Sequence, residues 1–236
     1  MITIDFQINQ NYLVYSLLRD RALSDADKAA LQRIREFKNF AWEQDQEAYR
    51  LLSSGPSEHA ILTKMNLQDI AKRSEVLLSK LVQNKTFLEL QKETMQALDL
   101  IRAEWEKNQL KTHDIMSDLS GLELKGDHKV VVTHPALHQG INSNGIICWT
   151  NRNDWPNYNT IYIWHEILHS FLPCGDIEHA VIQFLSDNEL RVRLNGGSYP
   201  PFEGHPELLE LMGGGNDSCK IQPFCSLKAG WLIATA

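Results

Sequence analysis

The chain has 236 residues, 43% of them hydrophobic, a formal charge of −7 at pH 7 and a pI near 5.7. That length and apolar share suffice for a buried core, and the acidic balance leaves no basic surplus for a phosphate-binding face, which argues against nucleic acid as a partner. No stretch approaches the roughly 18 apolar residues of a membrane span. The opening Met1-Ile-Thr-Ile-Asp-Phe-Gln lacks a secretory pattern, and Cys148, Cys174, Cys219 and Cys225 are too few and too unevenly spaced for a disulfide scaffold. The expectation is a cytoplasmic protein with reduced thiols and no membrane partner.

Glycine and proline divide the chain. Of 13 Gly and 8 Pro, only Gly55, Pro56, Gly121 and Gly126 precede residue 128, and the other 17 follow it. The first regime reads as long helices. Ser24 or Asp25 caps a run through Leu51 in which Leu31, Ile34, Phe37 and Trp42 recur at helical spacing. A second helix opens at Asn66-Leu67-Gln68-Asp69 and carries Ile70, Val76, Leu77 and Leu81. A third, from about Lys85 to Gln109, shows Leu88, Leu90, Met95, Leu98, Ile101 and Trp105. The charged residues between these positions form a solvated face. Residues 1–127 thus read as a helical bundle or cover, and residues 128–236 as a second region.

That second region opens with two short strands, Lys129-Val-Val-Val-Thr133, bounded by Pro135, and Gly145-Ile-Ile-Cys-Trp149, bounded by asparagine-rich segments. Asn159 or Thr160 then caps a helix whose apolar residues Ile161, Trp164, Leu168, Phe171 and Leu172 keep helical periodicity until Pro173. Asp176 caps another helix running to about Arg193, and the remainder, rich in Gly and Pro, reads mostly as loop. The fold class is α+β.

The first of these two helices carries His165-Glu166-Ile167-Leu168-His169. Residues four apart share a helix face, so both imidazoles can reach one ion about 2.0–2.1 Å away, with Glu166 beside them as a base that is not itself a ligand. A catalytic zinc takes three protein ligands and leaves one position for water, so a third ligand must come from elsewhere. On the next helix Glu178, Ile182, Leu185, Glu189 and Val192 fall along one stripe at a period of 3.6, and a carboxylate on an apolar stripe needs a partner. Glu189 and Glu178 both qualify, with His179 and Asp187 as further choices.

His165-Glu166-x-x-His169 followed twenty residues later by Glu189 resembles the gluzincin branch of the zinc metallopeptidases, the thermolysin-like arrangement. The resemblance covers roughly residues 128–193. It implies a zincin-like domain with a small β-sheet and two zinc-ligand helices, against which the N-terminal helical region packs. It further implies one zinc ion per chain held by His165, His169 and Glu189, with Glu166 taking a proton from the zinc-activated water and passing it to the leaving amine. The substrate would be a peptide or protein. Leu172 and Gly175 stand where the metzincin extension needs Gly and His, which disfavours that branch.

Tyr199 and His205, in the loop after the second helix, are candidate donors to the oxyanion, and Asp187 or Asp176 are candidates to orient a ligand imidazole. The strand at Gly145–Trp149 stands where zincins offer an edge to an extended substrate. The competing reading is a non-catalytic, zinc-stabilised binding or regulatory protein. Glu166 speaks against it, since a purely structural site needs no base beside its ligands.

Overall fold

The computed structural model describes residues 1–19, 26–54, 72–137, 140–143, 145–172 and 175–196. In chain order these form β1 (Ile2–Gln7), α1 (Gln10–Leu18), α2 (Lys28–Gln44), α3 (Gln46–Ser54), α4 (Lys72–Leu81), α5 (Lys85–Ser120), β2 (Gly126–Thr133), β3 (Gly140–Ser143) and β4 (Ile146–Thr150). Then follow α6 (Tyr158–Leu168), α7 (Asp176–Gln183), a π-helical segment (Phe184–Leu190) and α8 (Arg191–Asn195). This is an α+β chain, and none of its described helices is long and apolar enough to cross a membrane.

The chain changes units after Gly126, next to the expected boundary, but the two compact units are not consecutive stretches of sequence. One comprises Ile4–Glu104 and Asp127–Asn153, and the other Met1–Thr3, Trp105–Gly126 and Asp154–Ala236. The strands β2 to β4 thus belong with the N-terminal helices, because Val131 and Cys148 pack against Tyr12 and Tyr15 of α1. The last part of α5 belongs with α6, where Trp105 stacks near Trp164 at 5.6 Å between ring centroids. A linear reading of glycine and proline cannot detect pairings this distant in sequence.

In the helix–sheet unit, α1 starts where the Asn9 side chain accepts from the Tyr12 amide at 3.0 Å, and every residue from Tyr12 to Leu18 is buried. Helix α2 begins with Asp27, whose carboxylate accepts from the Ala30 amide at 3.1 Å. Ser24 and Asp25, the expected caps, lie outside the described residues. The apolar stripe Ala30, Ile34, Phe37 and Ala41 is buried, but the single helix expected through Leu51 breaks at Asp45. There the backbone is extended (φ −167°), and the carboxylate accepts from the amides of Glu47 at 3.1 Å and Ala48 at 3.0 Å, starting α3. A short side chain that satisfies two orphan amides makes a restart cheaper than continuation.

Of the helix expected from Asn66, residues 66–71 lie outside the described residues, and α4 buries Leu77 and Leu81 while leaving Val76 exposed. Helix α5 starts as expected, with Asn84 accepting from the Phe87 amide at 3.1 Å, and runs on past Gln109 to Ser120. No glycine or proline interrupts it. It ends at Gly121, which adopts φ 68°, a left-handed conformation that costs glycine nothing. Its buried stripe is Phe87, Leu90, Thr94, Ala97, Leu98, Ile101 and Trp105, so Leu88 and Met95 face outward rather than into the core.

The sheet has four strands in the order β1-β2-β4-β3. Strand β2 pairs in parallel with β4 from Lys129↔Ile146 to Thr133↔Thr150, and β3 pairs with β4 antiparallel from Gly140↔Trp149 to Ser143↔Ile146. The β3–β4 turn uses Gly145 at φ 78°, with its amide donating to the Asn142 side chain at 3.1 Å. Only β2 and β4 were expected. Strand β1 alternates Ile2, Ile4, Phe6 against Thr3, Asp5, Gln7 and was legible, whereas β3 carries one large apolar residue, Ile141, and exists through its partner. Because β4 is bonded on both sides, the expectation that Gly145–Trp149 offers a free edge to an extended substrate does not hold.

A buried polar network fastens the segment after β2. His134, 1% exposed, accepts the Ala136 amide on Nδ1 at 3.1 Å. Its proton therefore sits on Nε2 and is donated to Glu93 Oε2 at 2.8 Å, while Glu93 Oε1 accepts from Arg33 at 2.6 Å. Burial pushes the pKa of His134 below 6.5, against the hydrogen bond and charge of Glu93 and with the charge of Arg33. The unfolded chain thus binds the proton more readily than the folded one. Stability linked to His134 is fully present above about 6.5 and is lost as pH falls below it. The urea midpoint should fall between pH 7 and pH 5, and less steeply in His134→Gln; equal slopes would show that His134 does not titrate in that window.

Candidate metal centre

Helix α6 is buried almost all round: among residues 158–168 only Tyr158 and Tyr162 are part-exposed. Its first turn is set by Asn157, in the left-handed region at φ 60°, and not by Asn159 or Thr160, which are buried inside the helix. Asn157 is held by its amide, which accepts from Asn108 Nδ2 at 2.9 Å and donates to Asn195 Oδ1 at 2.7 Å. Farther along, the Trp164 indole donates to Thr112 Oγ1 at 2.7 Å, anchoring α6 to the end of α5. The α-helix stops at Leu168, earlier than Pro173, and tight turns from Ser170 to Ile167 and Phe171 to Leu168 follow. His169 is therefore its C-cap.

The second helical run follows the expected span from Asp176 but does not keep one geometry. After α7 it widens into a π-helix at Phe184–Leu190 before α8. One extra residue in a turn retards every later side chain by about 100° relative to a 3.6 period. The predicted stripe linking Glu178 to Glu189 is therefore broken. Glu189 forms an ion pair with Arg193 at 3.5 Å, and the carboxylate of Glu178 folds back over Gly175 at the start of α7.

The group brought together is His165, His169 and His179, each of which offers one nitrogen within 4.8 Å of those of the other two. Neither Glu189 nor Glu178 is in this group; the third residue brought to His165 and His169 is His179, one of the further choices the sequence offered. His165 Nε2 and His169 Nε2 are 3.3 Å apart. Two donors on a tetrahedral ion at 2.0–2.1 Å are separated by about 3.3–3.4 Å, so this pair already has the spacing of one coordination edge. The three imidazole rings lie at mutual centroid distances of 5.1–5.2 Å.

The other nitrogen of His165, Nδ1, meets both carboxylate oxygens of Asp187 at 3.2 Å. Asp187 is 3% exposed, and the neighbouring Ser186 hydroxyl lies 2.8 Å from its Oδ1 and 2.7 Å from the Ile182 carbonyl. Behind His179, the Gln183 amide stands 3.2 Å from Nε2. Asp187 was anticipated as an orienting group and stands in that place, while Asp176 is exposed at the helix start. The contact of Gln183 with His179 was not anticipated, although its position four residues after His179 was a readable signal.

Glu166 is 7% exposed beside His165. Burial raises its pKa to about 7, with the charge of His165 opposing and that of Asp187 adding. For His165 burial acts downward, but the charge and hydrogen bond of Asp187, with the charge of Glu166, carry the pKa above 6.5. His169 moves to about 4, because burial and the neighbouring His165 and His179 all disfavour its charged form. Its ring is neutral at pH 7, as a metal ligand must be. Tyr199 and His205 lie outside the described residues, as do Cys219 and Cys225.

Compared with protein-family models, curated proteins and solved structures, the chain matches none of them. The site is therefore read from its own geometry. Thr112→Val should cost about 1–3 kcal/mol by leaving the Trp164 indole N–H buried without an acceptor. Denaturant unfolding would register this as a lower midpoint at unchanged slope, and an unshifted midpoint would mean that this bond does not anchor α6.

Proposed function

We propose that this chain is a zinc-dependent peptide hydrolase in which His165, His169 and His179 hold the ion and Glu166 is the general base. The observation that carries the reading is the convergence of three imidazoles, two already one coordination edge apart, beside a buried carboxylate outside the ligand group. Imidazole donors suit zinc, and three protein ligands leave a position for water or substrate. The proposal keeps the H-E-x-x-H part of the gluzincin resemblance and its zincin-like character, with His179 in place of the glutamate.

Bound there, the ion would act as a Lewis acid on a carbonyl and make water a competent nucleophile near neutral pH. The remaining work falls to the protein. Asp187 holds His165 by Nδ1, which turns Nε2 toward His169. Glu166, buried one residue along from His165 and outside the ligand group, is the carboxylate placed to accept a proton and return it to a leaving amine. Burial of α6 on every side but the stripe of Tyr158, Tyr162 and His169 limits approach to that stripe. A peptide or protein is the substrate class we propose.

The test is elemental analysis after dialysis together with hydrolysis of an unstructured polypeptide. Wild type should carry about one zinc per chain, His169→Ala and His179→Ala should lose it, and Glu189→Ala should keep it. Glu166→Gln should keep zinc while hydrolysis falls at least about 100-fold. Zinc retained by His179→Ala but lost with Glu189→Ala would restore the glutamate ligand, and hydrolysis unaffected by Glu166→Gln would remove the catalytic reading.

A further inference from the structure

The three imidazoles are supported differently. His165 is backed by a carboxylate, and His179 by a neutral amide four residues ahead on α7. Gln183 is 5% exposed, so this amide is held against the ring without competition from bulk water. With the Gln183 N–H donating to Nε2, the proton of a neutral His179 ring sits on Nδ1. For Nδ1 to hold a metal as a neutral ligand, the ring's single N–H proton would sit on Nε2 instead, and the group at 3.2 Å must then accept. A half-turn of the amide presents its oxygen and meets that requirement. An amide can serve His179 in both states. A carboxylate can only accept, and a methyl group can do neither.

We infer that Gln183 is the positioning residue of the third ligand: it holds His179 by Nε2 and commits Nδ1 to the metal. This rests on the proposed site, and it concerns how that site binds rather than what it cleaves. It also explains why a polar side chain is buried at 183 between the apolar residues Ile182 and Leu185.

The experiment uses the full chain and zinc, with affinity read by competition against a chromophoric chelator. Gln183→Ala should weaken zinc binding about 10–100-fold, and Gln183→Glu, which still accepts from Nε2–H, should stay near wild type. In a His179→Ala background, where the weaker zinc binding left to His165 and His169 does not survive dialysis but is read by competition, Gln183→Ala should have no further effect, which a merely structural role would not produce. In the zinc-loaded protein labelled with 15N-histidine, His179 should show a metal-bound Nδ1 and a protonated Nε2. Zinc bound through Nε2, an unaltered affinity in Gln183→Ala, or an equal loss in both backgrounds would overturn the role of Gln183 alone. No zinc bound by wild type would overturn the site itself and this role with it.

Discussion

Everything at the candidate centre depends on one constraint: α6 is buried on nearly all sides while carrying His165 and Glu166 inward. An imidazole and a carboxylate removed from water each need a partner, since an unsatisfied buried polar group costs about 1–3 kcal/mol and an unpaired charge more. The structure answers with Asp187 behind His165, and with Ser186 placed between Asp187 and the Ile182 carbonyl. The same contacts that make burial tolerable also fix which nitrogen of His165 faces His169. Stability and site geometry are here set by one group of bonds.

The π-helical segment is the means by which a second helix supplies those bonds. Residues Ser186, Asp187 and Asn188 are all buried polar, an unusual run for consecutive positions on a helix. A regular helix would spread them about 100° apart, sending at least one to a different surface. The wider turn narrows that spread, and the Asn188 side chain donates to the Gln183 carbonyl at 3.3 Å, where α-helix gives way to π-helix. Widened turns of this kind occur often at functional sites because they trade regular backbone bonding for side-chain placement.

The helix–sheet unit shows the same trade in another form. Its core joins α1 to α4 and the start of α5 with Ala136 and Leu137, and is built on ordinary apolar stripes. Capping residues decide where the helices begin, as at Asn9, Asp27, Asp45 and Asn84. Each is a short polar side chain whose local bonds compete with helix continuation. Asp45 is the instructive one, because the apolar periodicity passes through it unbroken and only the geometry of its carboxylate reveals the restart.

Periodicity, capping chemistry and turn residues made much of this protein legible in its sequence. The alternation of regimes, the strands at 129–133 and 145–149, the start of α5 and the face shared by His165 and His169 all follow from local rules acting over a few residues. The sequence also pointed to the helix after His169 as the place for a further ligand-capable residue and placed Asp187 among the orienting candidates. The geometry of residues 184–190 was decided by tertiary structure: a 3.6 period carried across them puts Glu189 on the stripe of Glu178, while the observed backbone departs from that period, and His179 is the residue found with His165 and His169. The membership of strands and helices in the two units was likewise undetermined by local pattern. It depends on contacts such as Val131 with Tyr12 and Trp164 with Thr112, whose partners are brought together only when the chain folds.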